Sequence, residues 1–501
     1  MRILTAKQIK AVEESAFQNE FTEEGLMKCA GTACFNKIVK KYGDALKSSS
    51  VAVLCGNGKN AGDGFVIARL LCDIGVDAVI VIADKMPELR EPLMYYNEAL
   101  ENGVKSVAFD DYNFDCGFIV DCLFGIGFHG EARAPFDAVF NAVNAAGAVV
   151  ISIDTPSGTD ATTGEVINAV KADYTIAIST LKYAHVLPPA NEYCGEVSVV
   201  NIGIPEKYYD EDCAHTITSA DVKSGFAKRT KNSHKGSFGR QLNICGSYHM
   251  PGASVICAKA ALKTGVGLLE CVFPKSAYPV MTSHLIQPIF KPVCENESKT
   301  ISIGAMNDVT ESLNRADAVA IGCGIGNNDD TQVVTAQVIK SSLVPVVLDA
   351  DGINSVVPFI DIIKDKKAPL VITPHPAEMA RLIGESTEYV QSNRIAAAKA
   401  FAEENDCVVV LKGANTVVTD GRQVFVNTTG NAGMAMGGTG DMLTGMLTSF
   451  IAQGLSPLQA AKSAVYIHGL CGDITAEELS QRGMTVDDML SLLGALMSNF
   501  E

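Results

Sequence analysis

The sequence predicts two successive α/β domains, each built on a largely parallel sheet covered by helices. Three observations carry this. Short apolar runs of strand length alternate with helical patterns along both halves. Many of these strands end in loops bearing glycine and acidic residues, as in open α/β sheets that bind ligands beyond their strand carboxyl ends. The length of 501 residues exceeds what one core usually holds, so two or three domains are expected.

Composition narrows the class. With 47% hydrophobic residues and 44 glycines, the chain is ordinary for an α/β protein. Its net charge of −17 argues against a nucleic-acid partner or an anionic membrane surface. The 15 cysteines contain no C-x-x-C pair, and several lie in apolar runs. They read as reduced core residues of a cytoplasmic protein rather than a disulfide framework or a zinc site. No apolar run reaches membrane-spanning length, and the N-terminus is charged too early for a secretory signal.

Residues 3–42 read as helices, with Ile9, Val12, Phe17 and Leu26 as apolar positions. A continuous apolar run at 51–55 suits a strand buried on both faces. A Gly-rich turn at 56–64, G-N-G-K-N-A-G-D-G, leads into a helical pattern from Phe65. It is neither a dinucleotide fingerprint nor a P-loop. Asn60 and Asp63 exceed what a glycine turn requires; they suit a cation or a sugar, or else Asx-turn chemistry. Further strands are expected at 78–82, 118–120, 149–153, 174–178 and 197–200. Two of them end in acid-plus-glycine loops, one starting at Asp121 and the other running from Asp154 to Ser157 and Gly158. With Asn60 and Asp63, three loops are expected to converge.

The pattern breaks after Pro205. A polar stretch follows, with the basic patch K-R-T-K-N-S-H-K at 228–235. It reads as a solvated linker; the alternative is that Lys235 or His234 reaches a ligand phosphate. Domain limits are set at 1–212 and 237–501, with 213–236 as the linker.

In the second half, strands are expected at 241–245, 268–273, 318–321, 344–348, 370–372 and 407–411. A β-rich stretch at 416–427 turns at Asp420 and Gly421. Helices are expected at 254–264, 458–479 and 486–497. Loops at the strand ends hold the chemistry. They carry Gly326, then Asp349, then T-P-H-P-A-E with His375 and Glu378, then Lys412. Two prolines stiffen the loop that displays His375.

The stretch 430–445, G-N-A-G-M-A-M-G-G-T-G-D-M-L-T-G, is the centre of the second domain. Crowded backbone N–H groups and a helix start suit phosphate. Asp441 sits at that junction. A carboxylate there repels phosphate, so it is better placed as a base toward an attacking hydroxyl. The bland alternative is a flexible loop with an Asp helix cap.

With these residues assembled, the chain resembles the bifunctional NAD(P)H-hydrate repair enzymes. T-P-H-P-A-E, L-K-G-A-N-T and N-A-G-M-A-x-G-G-T-G-D match that family's patterns in order. The resemblance implies an N-terminal epimerase domain with a Rossmann-like fold and a C-terminal ADP-dependent dehydratase with a ribokinase-like fold. In the first half the family pattern is G-x-G-N-N-G-G-D-G; here Lys59 and Ala61 depart from it.

The resemblance also implies residue roles. Asn60, Asp121 and Ser157 would hold a potassium ion (K+). Lys59, Asn60, Ala61, Gly62, Asp63 and Asp154 would contact the hydrated cofactor. So would the loop of Gly125, Ile126, Gly127, Phe128, His129, Gly130 and Glu131. In the second domain Ala253, Gly326, His375 and Asp441 would contact it. Lys412, Gly413, Ala414, Asn415, Thr416, Gly438, Thr439 and Gly440 would contact ADP, accompanied by magnesium (Mg2+). Asp441 is then the base of the dehydratase. Asp154 is the expected acid–base residue of the epimerase, with Asp121 as the alternative if it is not a cation ligand. Small-molecule substrates (hydrated NADH or NADPH, and ADP) and a homo-oligomer are expected. The rival reading is a ribokinase-like small-molecule kinase with an N-terminal regulatory domain.

Overall fold

The computed structural model describes residues 1–210 and 212–501. The chain divides into two compact units, Met1–Ala214 and His215–Glu501. No helix among the described residues is long and apolar enough to cross a membrane.

The first unit opens with β1 (Arg2–Leu4), where helix had been expected from Ile3. Thr5 is the reason. Its side chain accepts from the backbone of Gln8, whose side chain answers in a capping box, so the helix Ala6–Asn19 starts only there. The buried Ile3 and Leu4 are free to pair with another strand. The main sheet holds β2 (Ser50–Cys55), β3 (Asp77–Ile82), β4 (Lys105–Ala108), β5 (Phe118–Cys122), β6 (Val149–Ile153) and β7 (Tyr174–Ile178). After β8 (Leu181–Lys182), which pairs in parallel with β1, the chain adds β9 (Glu196–Val200). The order is β4-β3-β2-β5-β6-β7-β9 and every pairing is parallel, as the alternating pattern predicts. Strand order reverses between β2 and β5, where such sheets open a crevice for ligands.

The Gly-rich segment after β2 is largely helix, not turn. The helix Lys59–Asp73 takes in Lys59, Asn60, Ala61, Gly62 and Asp63. Its glycines serve close packing. A Cβ on Gly62 would lie 2.2 Å from the Met27 sulfur, and one on Gly64 would lie 2.9 Å from Cβ of Cys122.

β10 (Ala214–Thr216) lies at the boundary between the units. In the second unit follow β11 (Arg240–Ile244), β12 (Leu268–Pro274), β13 (Ile289–Val293), β14 (Ala318–Ile321), β15 (Val346–Leu348) and β16 (Leu370–Ile372). β17 (Val408–Leu411), β18 (Val417–Thr419) and β19 (Val424–Val426) complete it. The order is β13-β12-β11-β14-β15-β16-β17-β18-β19, parallel up to β17 and antiparallel beyond. β14 to β17 are fully buried, as their unbroken apolar runs require. The helices Pro251–Lys263, Thr439–Ala452 and Pro457–Leu479 supply much of the core beside the sheet. Within the stretch 213–236, Thr218 caps the helix Ser219–Lys223, and Ile217 and Val222 are buried in this unit's core.

Candidate active sites

In the first unit the crevice at the switch of strand order is a cavity of about 650 Å³. Lys59, Asn60, Asp63, Gly125, Ile126, Gly127, Phe128, His129 and Asp154 line it. Ala61 and Gly62 face the core against the Met27 side of the helix, and Gly130 and Glu131 are exposed beyond the lining residues. Lys59 is more than half exposed and paired with Glu23 at 2.5 Å.

The three loops converge. Asn60 Nδ2 donates to the carbonyls of Phe124 (3.0 Å) and Ile153 (3.1 Å). Ser157 Oγ donates to Asp121 Oδ1 at 2.6 Å, and the Ser157 and Leu123 N–H groups also bond this carboxylate. Asp121 is fully buried and forms no ion pair among the described residues. Burial raises its pKa, against the pull of the Ser157 and Ser152 hydrogen bonds.

Asp154 sits at a positive φ of 71°, a strained conformation that Asp tolerates better than most residues. Its carboxylate is salt-bridged to the fully buried Lys182, whose Nζ also donates to the Ile178 carbonyl at 2.6 Å. The Lys182 N–H donates to His185 Nδ1 at 2.9 Å, so the His185 proton is on Nε2 and is donated to the Asp154 carbonyl at 2.8 Å. Burial, then Lys182, lowers His185 to about 4, so it stays neutral. Two further carboxyls share the field of Asp154. Burial, then the charge of Asp154, pushes Asp63 well above the usual range and raises Glu13. One salt-bridged carboxylate and two carboxyls inclined to keep protons make an acid–base pocket.

Sequence reasoning missed Lys182 and Glu13. Lys182 left a signal, being the one Lys, Arg, Asp or Glu in the apolar run 174–190. Glu13 left none, because it lies on an amphipathic helix where acids are common.

In the second unit the site lies at the carboxyl ends of β14 to β17. Asp349, after β15, is buried; its Oδ1 accepts from Lys412 Nζ (2.7 Å) and Thr373 Oγ1 (2.7 Å), its Oδ2 from Thr444 Oγ1 (2.8 Å). Burial opposes its charge, but Lys412 and these bonds hold Asp349 below the ordinary value. Asp441 occupies the first turn of the helix Thr439–Ala452, after Gly438 at φ 97°. The ligand atoms of Cys323, Asp349 and Asp441 lie within 4.8 Å of one another. Burial, then Cys323 and Asp349, pushes Asp441 up to about 9. A Cβ on Gly440 would lie 3.5 Å from Lys412 Nζ, so Lys412 and the helix start adjoin one another.

His375 is an N-cap. Its Nδ1 accepts from the N–H groups of Ala377 (3.2 Å) and Glu378 (3.3 Å), while Glu378 Oε2 accepts from the His375 N–H. Burial first lowers its pKa, despite the adjacent Glu378. The His375 side chain is half-exposed, and its Nε2 lies 3.3 Å from Glu378 Oε1. Ala253 and Gly326 flank the loop after β14, where the Gly326 N–H donates to Asp351 at 2.9 Å. Gly413, Ala414, Asn415 and Thr416 form a loop open to solvent. The buried Arg394 anchors its start by donating to the carbonyls of Leu411 and Lys412. His468, buried near the helix start and lowered to about 4 by burial, was not anticipated; its Nε2 has no hydrogen-bond partner among the described residues.

Residues 242–493 match the family model described as NAD(P)H-hydrate dehydratase, and residues 23–184 match YjeF-related protein N-terminus. The chain is 33% identical to the bifunctional NAD(P)H-hydrate repair enzyme Nnr of Thermofilum pendens, covering 100% of this chain and 98% of that protein. It is 32% identical to the Escherichia coli protein of the same name, covering 94% and 89%. Among solved structures, a ribokinase-like superfamily protein from Enterococcus faecalis superimposes with a TM-score of 0.51 at 23% identity. It covers 58% of this chain and 98% of that one, and shows the ribokinase-like fold of the second unit.

Proposed function

The chain belongs to the family of bifunctional NAD(P)H-hydrate repair enzymes, and from this we propose how its residues divide the chemistry. It carries an NAD(P)H-hydrate epimerase in its first unit and an ADP-dependent NAD(P)H-hydrate dehydratase in its second.

In the dehydratase, Asp441 takes the proton of the substrate hydroxyl as that oxygen attacks the terminal phosphoryl group of ADP. AMP leaves. The phosphate so formed on the ring is a good leaving group, where hydroxide is a poor one. The ring nitrogen lone pair expels it, and loss of a ring proton restores the dihydronicotinamide. The N–H groups of Gly438, Thr439 and Gly440 stabilise the transferring charge. Lys412 balances Asp349 at the same place. The S hydrate is the epimer consumed. The observation that carries this reading is Asp441 in the first turn of the helix that follows the Gly-rich loop, beside the Lys412–Asp349 pair. Asp349 has its oxygens taken by Lys412, Thr373 and Thr444, so the nucleotide's own phosphates would hold magnesium, which supplies charge neutralisation.

In the epimerase, Asp154 acts as base while Asp63 or Glu13 holds a proton for return, and Lys182 positions Asp154. The alternative base, Asp121, is buried behind the cavity and bonded to Ser157. Asp121 has no ion pair among the described residues, and the oxygen groups of Asn60, Asp121, Ser157 and the Phe124 carbonyl lie together, so these residues would hold a potassium ion, which would favour the charged carboxylate over its burial. The domains are assigned as 1–212 and 237–501, and the stretch 213–236, expected as a solvated linker, also lends Ile217 and Val222 to the core of the second unit. The cysteines, all free, suit a reducing compartment, so we place the protein in the cytoplasm. Self-association as a homo-oligomer is part of the reading; light scattering tests it.

The test is stoichiometric. With ADP and hydrated NADH, AMP and phosphate should each appear in step with NADH, and Asp441→Asn should abolish all three. Formation of a stable phosphorylated product without NADH would instead make the second unit a kinase.

A further inference from the structure

Behind the carboxyls of the second unit lies a cluster that the proposed reaction does not use. Cys245 follows β11, Cys257 lies in the helix Pro251–Lys263, and Cys323 lies in the loop after β14. β11 and β14 are neighbours, so three separate elements deliver the three side chains to one point. The three sulfurs lie within 4.8 Å of one another, and each residue is fully buried. The frame around them is stiff. A Cβ on Gly445 would lie 2.2 Å from the Cys257 carbonyl, and the Gly246 N–H donates to the Cys323 carbonyl at 2.8 Å.

Thiols of this kind can simply fill space, as Ala253 and Ala320 do beside them. Two features go beyond packing. Tetrahedral zinc–thiolate bonds of about 2.3 Å set sulfurs roughly 3.8 Å apart, so the cluster is close to a ligand arrangement already. Asn243 Nδ2 lies 3.3 Å from Cys257 Sγ, a donor of the kind that supports a metal-bound thiolate. The outlet is specific too, since Cys323 Sγ donates to Asp349 Oδ2 at 3.7 Å and is grouped with the Asp441 carboxyl.

We propose that Cys245, Cys257 and Cys323 form a binding site for a soft, thiophilic metal ion of the zinc or monovalent-copper type, and that its occupation switches off the dehydratase. Uptake replaces S–H bonds by S–metal bonds and releases the protons to solvent, with no change of oxidation state. Binding therefore strengthens as pH rises. A metal-bound Cys323 no longer donates to Asp349, and a new fixed charge lies beside Asp441. The binding claim stands alone; the switching rests on the proposed dehydratase role.

Cd2+ added to the metal-free, reduced full chain tests both. Expected is one ion per chain with an ultraviolet thiolate-to-cadmium band, displaced by Zn2+, with loss of dehydratase activity and retention of epimerase activity. Cys257→Ala should keep ADP-dependent activity, bind roughly tenfold or more weakly and resist inhibition. Cys245→Ala serves if that variant fails to fold. No band in the wild type, or an equal band in both variants, overturns the site. A band without inhibition overturns the switch. A band in a protein inactive toward hydrate even without metal supports the site and removes the dehydratase reading.

Discussion

Lys412 Nζ lies 2.7 Å from Asp349 Oδ1, and this pair decides which of two adjacent carboxyls stays charged. Asp349 keeps the Lys412 ammonium and two hydroxyl donors, Thr373 and Thr444. Asp441, with no ion pair among the described residues, is pushed up to about 9 by burial, Cys323 and Asp349. Environment separates a carboxylate that stays charged from one that keeps its proton.

The first consequence is a pH dependence. As a base, Asp441 must lose its proton, so kcat/KM of the dehydratase should rise with pH and level off near 9. A profile already flat through neutrality would contradict the role.

Stability should run the other way. The fold keeps the Asp441 proton up to about 9, whereas the unfolded chain releases it near the ordinary aspartate value of about 3.9. Between these values rising pH favours unfolding through this group. Asp441→Asn should therefore raise Tm in neutral and alkaline buffer and leave it nearly unchanged below the lower value, while abolishing dehydratase activity.

His375 is an N-cap, and substitution separates that role from the proposed contact with the hydrate. His375→Ala removes an N-cap and should cost about 1 kcal/mol in a denaturant titration, whereas His375→Asn should restore most of that. If the ring also contacts the hydrate, both variants should raise KM alike.

Gly445→Ala would gain roughly 1 kcal/mol of helix propensity. The added methyl would meet the Cys257 carbonyl at 2.2 Å, an overpacking that costs about 1–3 kcal/mol. Crowding should win, with a lower Tm in urea or thermal melts.

Asp154→Ala would strand Lys182, which is 1% exposed, and such broken buried pairs cost about 3–5 kcal/mol. Asp154→Asn combined with Lys182→Met should recover stability but not epimerase activity. Dehydratase rates on the preferred epimer should be intact in the double variant.

The core strands were legible because burial on both faces demands unbroken apolar runs, as at Val51 to Cys55 or Val408 to Leu411. β4 was not, since Lys105–Ala108 is a half-exposed edge with little apolar content. The Gly-rich segment after β2 misled because its glycines answer to Met27 and Cys122, distant in sequence. Asp121, Asp154 and Asp349 stood out at strand ends. Their partners did not: Lys182, Thr444 and the cap role of His375 depend on contacts that a one-dimensional pattern does not encode.

One chain is predicted to repair both epimers by two separate sites. Purified protein given each separated epimer of hydrated NADH, with ADP and Mg2+, tests it through recovery of dihydronicotinamide absorbance. Recovery from both epimers is predicted, lost entirely in Asp441→Asn and restricted to one epimer in the Asp154→Asn, Lys182→Met variant. Recovery of only one epimer by the wild type, or of neither with ADP present, would contradict this division of labour.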